Sequence, residues 1–347
     1  MNSRFKSIWY HRQARRALQR RQFGFGITCL KKLLGLSPLC AIALMTEASF
    51  KIVIPLRLRN YIKDGLKTWH KGLFHSIPPF YRRAKELGIN LEPRKEKVVV
   101  SLTSYPKRIG TIHKVIDTLL TQTYKPDAII LWLAPEQFPD READLPKSLL
   151  ALKEFGLTID WYHDIRSFKK LIPSLKKYPD ACLVTADDDI YYPPDWLEKL
   201  VVAHRKYPDC VVCHGAHRIR FEANGALKSY RKWSFGVGNC NPSYDVFVTS
   251  GAGALYAPKV LHKDVLREEL FLELCPFADD IWFWSMALVN GKKIKVVDQH
   301  VKNIHTIEDV DNTEALSRQN LDFGNRNDEQ LSNVFKQYPQ LLETIRS

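Results

Sequence analysis

The stretch ACLVTADDDIYYPPDW, Ala181 to Trp196, decides how the rest of the chain is read. Its first half is apolar and β-branched, the pattern of a buried strand. It ends in three consecutive aspartates, Asp187, Asp188 and Asp189. Neighbouring carboxylates repel, so a partner must offset that cost. Asp187 and Asp189 are two apart, and in an extended segment they project to one side. Two hard oxygen donors on one side suit Mg²⁺ or Mn²⁺, with water and phosphate oxygens completing an octahedron. The plainer use of such residues is helix capping and Asx turns. Asp195, just before the helical pattern WLEKLVVAH, is the better N-cap, which leaves the triple without that task. An EF-hand is excluded, because its glycine and distal glutamate are absent.

Upstream, KVVVSLTSY is a first buried strand, and TIHKVIDTLLTQTY spaces Ile112, Val115, Ile116, Leu119 and Leu120 as a helix. DAIILWLA and LTIDWYHD read as further strands, and SFKKLIPSLKKYP as a helix with a proline kink. Strands alternating with helices specify an α/β domain on a mostly parallel central sheet flanked by helices. In such sheets ligands collect beyond the carboxyl ends of the strands, which is where the aspartates lie.

Downstream, CPFADDIWFWSMALVNGKKI places Asp279 and Asp280 just before an aromatic-rich helix ending near Gly291. One of them caps that helix, or the pair supplies a general base to complement the metal at the first cluster. Between the clusters, VTSGAGALYAP carries Gly251 and Gly253 ahead of a short apolar strand; such glycines let backbone approach a ligand closely. His300 and His305 follow a later strand, and either could be a third metal ligand. NLDFGNRNDEQ is polar and reads as a loop.

The net charge of +14 is unevenly spread. Residues 1–95 hold 20 Lys and Arg against 4 Asp and Glu, whereas the remainder holds 32 against 34. The first 22 residues form a basic amphipathic pattern suited to an anionic membrane surface. The uncharged run Leu33 to Thr46 is 14 residues long and interrupted by Pro38, too short to span a bilayer. Glu47 follows it without a small-x-small cleavage site, so no cleaved leader is expected. No nucleic-acid-binding signature accompanies the charge. The organisation expected is therefore a basic, mainly helical, membrane-associating extension over 1–95 and a catalytic domain over 96–347. The seven cysteines are irregularly spaced and form no disulfide framework. Cys210 and Cys213 have zinc-ribbon spacing without a second pair, and they read as buried thiols on a strand. A reducing cytoplasm, with the protein peripheral on the inner face of the membrane, is the expected location.

Taken in order, these segments resemble a glycosyltransferase of the GT-A fold, in layout the inverting family 2-like group of bacterial polysaccharide and lipopolysaccharide synthases. VVVSLTSYPKRIGTIHKVIDTLLTQTY is similar to that family's nucleotide-binding opening, TADDD to its DxD motif, and ADDIW to its acceptor-side acidic pair. SGAGALYAP looks like its acceptor-pocket segment. The likeness runs from Lys97 to His305. It implies that Thr103, Ser104, Tyr105 and Arg108 line the nucleotide site together with Asp187 and Asp188. It further implies that Asp187 approaches the ribose, that Asp189 binds the metal, and that Asp280, the second acid of its pair, deprotonates the acceptor. The sequence departs from the family at the end of the second strand, where the only acid is Glu136, and in having Asp-Asp where Glu-Asp is commoner.

The function expected is metal-dependent transfer of a sugar from a nucleotide diphosphate sugar, with UDP as the expected nucleotide, to a glycan or glycolipid hydroxyl. In-line displacement would invert the anomeric centre. Three rivals use some of the same features. A sugar nucleotidyltransferase would carry a glycine-rich basic loop where this chain reads TSYPKRIG. A glycoside hydrolase needs two carboxylates but no metal triple. A non-catalytic membrane-surface or nucleic-acid binder would be indifferent to the aspartates.

Overall fold

The run VVVSLT forms β1 (Val98–Thr103), buried along almost its whole length. In the computed structural model β1 is the centre of a parallel sheet. The structure describes residues 77–238, 240–298, 305–307 and 325–347. The chain divides into two units, Met1–His75 and Ser76–Ser347. Expectations for the basic N-terminal segment up to residue 76, and for His300, lie outside the described residues.

After β1 the chain enters α1 (Ile112–Leu120), whose Ile112, Val115, Ile116, Leu119 and Leu120 are all buried. It returns as β2 (Ala128–Leu133), then a short α2 (Lys147–Leu150), then β3 (Leu157–Trp161). The expected kinked helix is two helices: a 3₁₀ turn over Arg166–Lys170 and α3 (Ile172–Lys177). Pro173 lies in the first turn of α3, where its missing N–H costs nothing, so the proline starts a helix instead of bending one. β4 (Cys182–Thr185) follows, with Cys182 opposite Val98 on β1.

β1 pairs in parallel with β2 on one side and with β4 on the other, and β2 pairs with β3. The steps from β1 to β3 run one way, and the step from β3 to β4 runs back across β1. Right-handed crossovers therefore place α1 and α2 on one face and α3 on the other. Beyond β4 the sheet turns antiparallel. A two-residue β5 (Ile190–Tyr191) and α4 (Trp196–Lys206) lead to β6 (Val211–Arg218), β7 (Ser234–Phe235) and β8 (Val246–Tyr256). Two helices, α5 (Glu268–Leu274) and α6 (Asp279–Val289), precede β9 (Ile294–Val296). The sheet order is β3-β2-β1-β4-β8-β6-β7, with β9 on β6. It is a mixed eight-stranded sheet with four parallel and three antiparallel pairings. β10 (His305–Thr306) pairs with β5 as a separate ribbon, and α7 (Arg326–Gln337) and α8 (Gln340–Arg346) pack on α6.

Two local readings are corrected. From Arg326 onward the polar NLDFGNRNDEQ is the first part of α7, because Asn327, Gln330, Leu331 and Val334 share one buried face. Gln330 accepts the Phe277 N–H at 2.9 Å, so its burial is compensated. Asp195 occupies the N-cap of α4 but makes no capping bond; its carboxylate pairs instead with Lys199 at 2.7 Å. Trp196, Trp282 and Trp284 fill the core with each indole N–H donated to a backbone carbonyl, of Ala252, Val265 and Val246. Cys210 and Cys213 are buried free thiols. Among the described residues no helix is long and apolar enough to cross a membrane.

Candidate active site

The strand order reverses at β1: the chain builds outward to β3 and then crosses to β4 on β1's other side. The carboxyl ends of β1 and β4 thus flank a topological switch point, the place where an open α/β sheet leaves a crevice. Ser104 and Arg108 follow β1, and Asp187, Asp188 and Asp189 follow β4. The chain is no longer extended there, since Asp188 and Asp189 lie in a turn. The aspartates consequently fan out in place of sharing one side.

Asp188 is 7% exposed and faces β1. It accepts a hydrogen bond from Ser104 Oγ at 2.6 Å and pairs with Arg108 at 2.6 Å. Arg108 reaches Asp189 as well, at 3.0 Å, and lies 5.7 Å from the Tyr105 ring. Burial alone would favour the neutral guanidine, but Asp188 and then Asp189 outweigh it and raise the Arg108 pKa. Asp187 turns the other way, to Lys170 Nζ at 2.5 Å. The same ammonium contacts Asp279 at 3.1 Å. Lys170 is thereby the link between the two acidic clusters. Its burial opposes the charge, yet Asp187, Asp279 and Asp280 together raise its pKa well above the ordinary lysine value.

Asp279 and Asp280 occupy the first turn of α6, and the N-cap position belongs to Ala278, so neither aspartate caps the helix. Negative charge in that turn is favoured by the helix dipole. Asp280 Oδ1 accepts from the Ser250 N–H at 2.9 Å and from Ser250 Oγ. Ser250 precedes Gly251 in the eleven-residue β8, whose pairing with β6 is interrupted by a bulge between Thr249 and Ala254, where both glycines lie. A Cβ on Gly251 would sit 2.2 Å from Asp187 Oδ2, so the absence of a side chain is what lets Asp187 lie against the strand. Gly253 has φ +110°, and a Cβ there would strike the Trp196 indole at 2.4 Å. Tyr192 completes this wall: its hydroxyl accepts the Asp187 N–H and donates to the Gly251 carbonyl, each at 2.7 Å.

Five carboxylates thus gather around two buried cations, Arg108 and Lys170, an excess of three negative charges when all are ionised. Burial and this shortage of positive charge act together on two of the carboxyl groups. Burial first, then Asp188 and Asp187 against the pull of Arg108, raise Asp189 to about 7. Burial and then Asp279, against Lys170 and Ser250, raise Asp280 to about 7.

Not every expected residue turns inward. Thr103 donates its hydroxyl to the Trp132 carbonyl on β2 at 2.8 Å. Glu136 is exposed beyond β2 and acts on the buried Lys169, which is paired with Asp164. His305 pairs across the ribbon with Tyr191 and its ring stands edge-on to Phe80 at 5.7 Å. Its neighbour but one, Ile307, donates its N–H to the Asp189 carbonyl at 2.8 Å, which ties β10 to the aspartate turn. Lys170, Ser250 and Tyr192 are absent from the sequence-based set. No motif marks them; Lys170 in particular reads as one of a pair of helix-surface lysines until the fold buries it.

No family model matches the chain, and no curated protein sequence matches it. Among solved structures, the fold is similar to residues 1–349 of S. aureus TarS, at 13% sequence identity and a TM-score of 0.40, over 72% of this chain and 70% of that one.

Proposed function

We propose that the protein transfers a sugar from a nucleoside diphosphate sugar, UDP foremost, to a hydroxyl of a glycan or glycolipid acceptor in cell-surface polysaccharide synthesis. The observation that carries this reading is the meeting of two acidic clusters at the β1/β4 switch point, bridged by Lys170 and closed by Gly251. Exposure divides the labour within them. Asp187, Asp189 and Asp280 are part-buried, whereas Asp188 and Asp279, each 7% exposed, are buried. Asp188 then holds Ser104 and Arg108, and Asp279 holds Lys170, while the part-buried three meet ligands.

Ser104, Tyr105 and Arg108 face the nucleotide side, and Thr103 braces the end of β1. Asp187 and Asp189 suit Mg²⁺ or Mn²⁺, hard ions that take carboxylate and phosphate oxygens together. The excess of negative charge and the raised Asp189 pKa fit an added divalent cation. His305 pairs with Tyr191, two residues beyond Asp189, and its imidazole is assigned as the third metal ligand. Such a metal, once bound, would neutralise charge building on the departing diphosphate. Asp280, tuned near neutrality, takes the proton of the attacking hydroxyl, and attack opposite the leaving group inverts the anomeric centre. The basic residues 1–60 are assigned to an anionic membrane surface, which brings the domain to a lipid-borne acceptor from the cytoplasmic side.

Thermal stabilisation by UDP, GDP, CDP and ADP, each with and without Mn²⁺, tests the donor side. A ligand at 100 times its dissociation constant stabilises by about 2.7 kcal/mol. One nucleotide acting only with metal, and losing its effect in Asp189→Asn, is the expected result. Insensitivity to all four would remove the nucleotide reading. Asp280→Asn should keep that stabilisation and lose transfer; near-normal turnover would assign the base elsewhere. Deleting residues 1–60 should release the protein from anionic vesicles, and unchanged binding would refute the membrane role.

A further inference from the structure

At the opposite end of β4 from the aspartates, three potential ligands from three separate elements converge. Glu96 lies just before β1, Cys182 is the first residue of β4, and His204 is in the last turn of α4. Cys182 Sγ is 3.6 Å from His204 Nε2, and that nitrogen is 3.2 Å from Glu96 Oε1. All three donor atoms lie within 4.8 Å of one another, the one such group among the described residues. A tetrahedral zinc ion with bonds of about 2.0–2.3 Å holds its donors roughly 3.3–3.6 Å apart. The Cys–His and His–Glu separations are already at that spacing.

The chemistry matches as well. Thiolate, imidazole and carboxylate form a mixed set that suits a borderline-soft ion such as Zn²⁺ and poorly suits Mg²⁺ or Ca²⁺. Cys182 and His204 are buried, while the Glu96 side chain is 44% exposed, so solvent reaches the cluster from one side and a water can complete the coordination. Among the described residues His204 Nδ1 has no hydrogen-bond partner, and it is Nε2 that faces both Cys182 Sγ and Glu96 Oε1. Asp187 lies five positions beyond Cys182, at the other end of β4, roughly 16 Å for extended chain. The two places are distinct.

We propose that Glu96, Cys182 and His204 form a zinc site that pins the start of β1, the start of β4 and the end of α4 together. Binding replaces the Cys182 thiol proton, which passes to solvent. In the metal-free protein that proton is held firmly, since burial and then the Glu96 charge push the thiol up to about 12. The site's role is structural. It anchors the far end of α4, whose first residue, Trp196, packs against Gly253 in the wall of the acidic crevice.

The test uses the full chain, stripped with chelator and titrated with Co²⁺, with near-ultraviolet absorption as the readout. The expected result is a thiolate-to-cobalt charge-transfer band that saturates at one ion per chain and is displaced by Zn²⁺. Cys182→Ser abolishes the band, and Asp189→Asn leaves it intact, which separates this site from the aspartates. Glu96→Gln, at an exposed position that threatens the fold little, weakens Co²⁺ binding by roughly tenfold or more. No band in the wild-type chain overturns the proposal, as does unaltered affinity in Glu96→Gln. A band that survives Cys182→Ser also overturns it and places the thiolate elsewhere, Cys210 beside Asp209 and Cys275 near Asp279 being buried thiols close to an acid.

Discussion

Lys170 carries the largest single electrostatic responsibility in the crevice. It is fully enclosed and paired with Asp187 and Asp279. Removing one member of a buried pair leaves the other charge uncompensated, at a cost of about 3–5 kcal/mol. Lys170→Met should therefore lose that much in urea denaturation with chelator present; a loss below about 1 kcal/mol would mean the two clusters are not joined through it. Asp189 and Asp280 act in the opposite sense. Both have folded pKa values near 7, above the ordinary carboxylate value of 3.8. The folded state then binds more protons than the unfolded one between the two values. Their stabilising contribution is complete below about pH 4 and is lost as pH rises through about 7. Melting temperature in chelator should fall across that window, and Asp189→Asn should flatten the fall. A profile unchanged in that variant would show that Asp189 titrates as an ordinary carboxylate. The same raised pKa predicts that transfer increases with pH through about 7 as Asp280 ionises.

At the scale of the element, β8 is shaped by what its glycines leave out. Gly251 makes room for Asp187, and Gly253 combines a left-handed backbone with the Trp196 ring in van der Waals range. Gly253→Ala is expected to destabilise by about 1–3 kcal/mol or more from backbone strain, with the indole displaced as well. Gly251→Ala, whose φ is ordinary, should cost less stability but push Asp187 out of place. Its expected signature is weaker Mn²⁺-dependent nucleotide stabilisation with a modest change in melting temperature. Equal behaviour of the two variants would contradict the assigned roles. Tyr192 couples this strand to the aspartate turn through two part-buried hydrogen bonds.

The whole domain is arranged so that one sheet serves two ends. The parallel half, β3-β2-β1-β4, supplies the switch point, and the antiparallel half, β8-β6-β7, supplies the wall that carries Ser250 and Gly251. The helix α6 closes the crevice and is packed by α7 and α8; Tyr338, between those two helices, sets its ring against Trp282 of α6 and donates to Asp264 upstream of it at 2.8 Å. Ending the chain before Tyr338 removes the buried Tyr338, Leu341 and Ile345 and uncovers the α6 face beneath them. That truncation should lower the melting temperature and reduce turnover together, because Asp280 sits in the first turn of the helix it unsettles. Full turnover at a lowered melting temperature would show that α6 is positioned from β8 alone.

The sequence by itself determined the alternation of strands and helices, because burial writes its period directly into the order of apolar residues: β1, α1, β2, β3, β4 and α6 all fall within KVVVSLTSY, TIHKVIDTLLTQTY, DAIILWLA, LTIDWYHD, ACLVTAD and CPFADDIWFWSMALVNGKKI, although α6 begins at Asp279 and not after the acidic pair. It also marked the two acidic clusters, since consecutive carboxylates are costly enough to stand out. It misplaced the helix break at Pro173 and the start of α7, where short-range propensity and tertiary burial disagree. Only the tertiary structure decided which partners meet the carboxylates. Arg108 lies 80 residues from Asp188 along the chain, and Lys170 lies 109 from Asp279. Pairings at that separation are set by how the sheet folds back on itself, and no local pattern records them. The same holds for Glu96, Cys182 and His204, three unremarkable residues in sequence that share a point in space because β1 and β4 start where α4 ends.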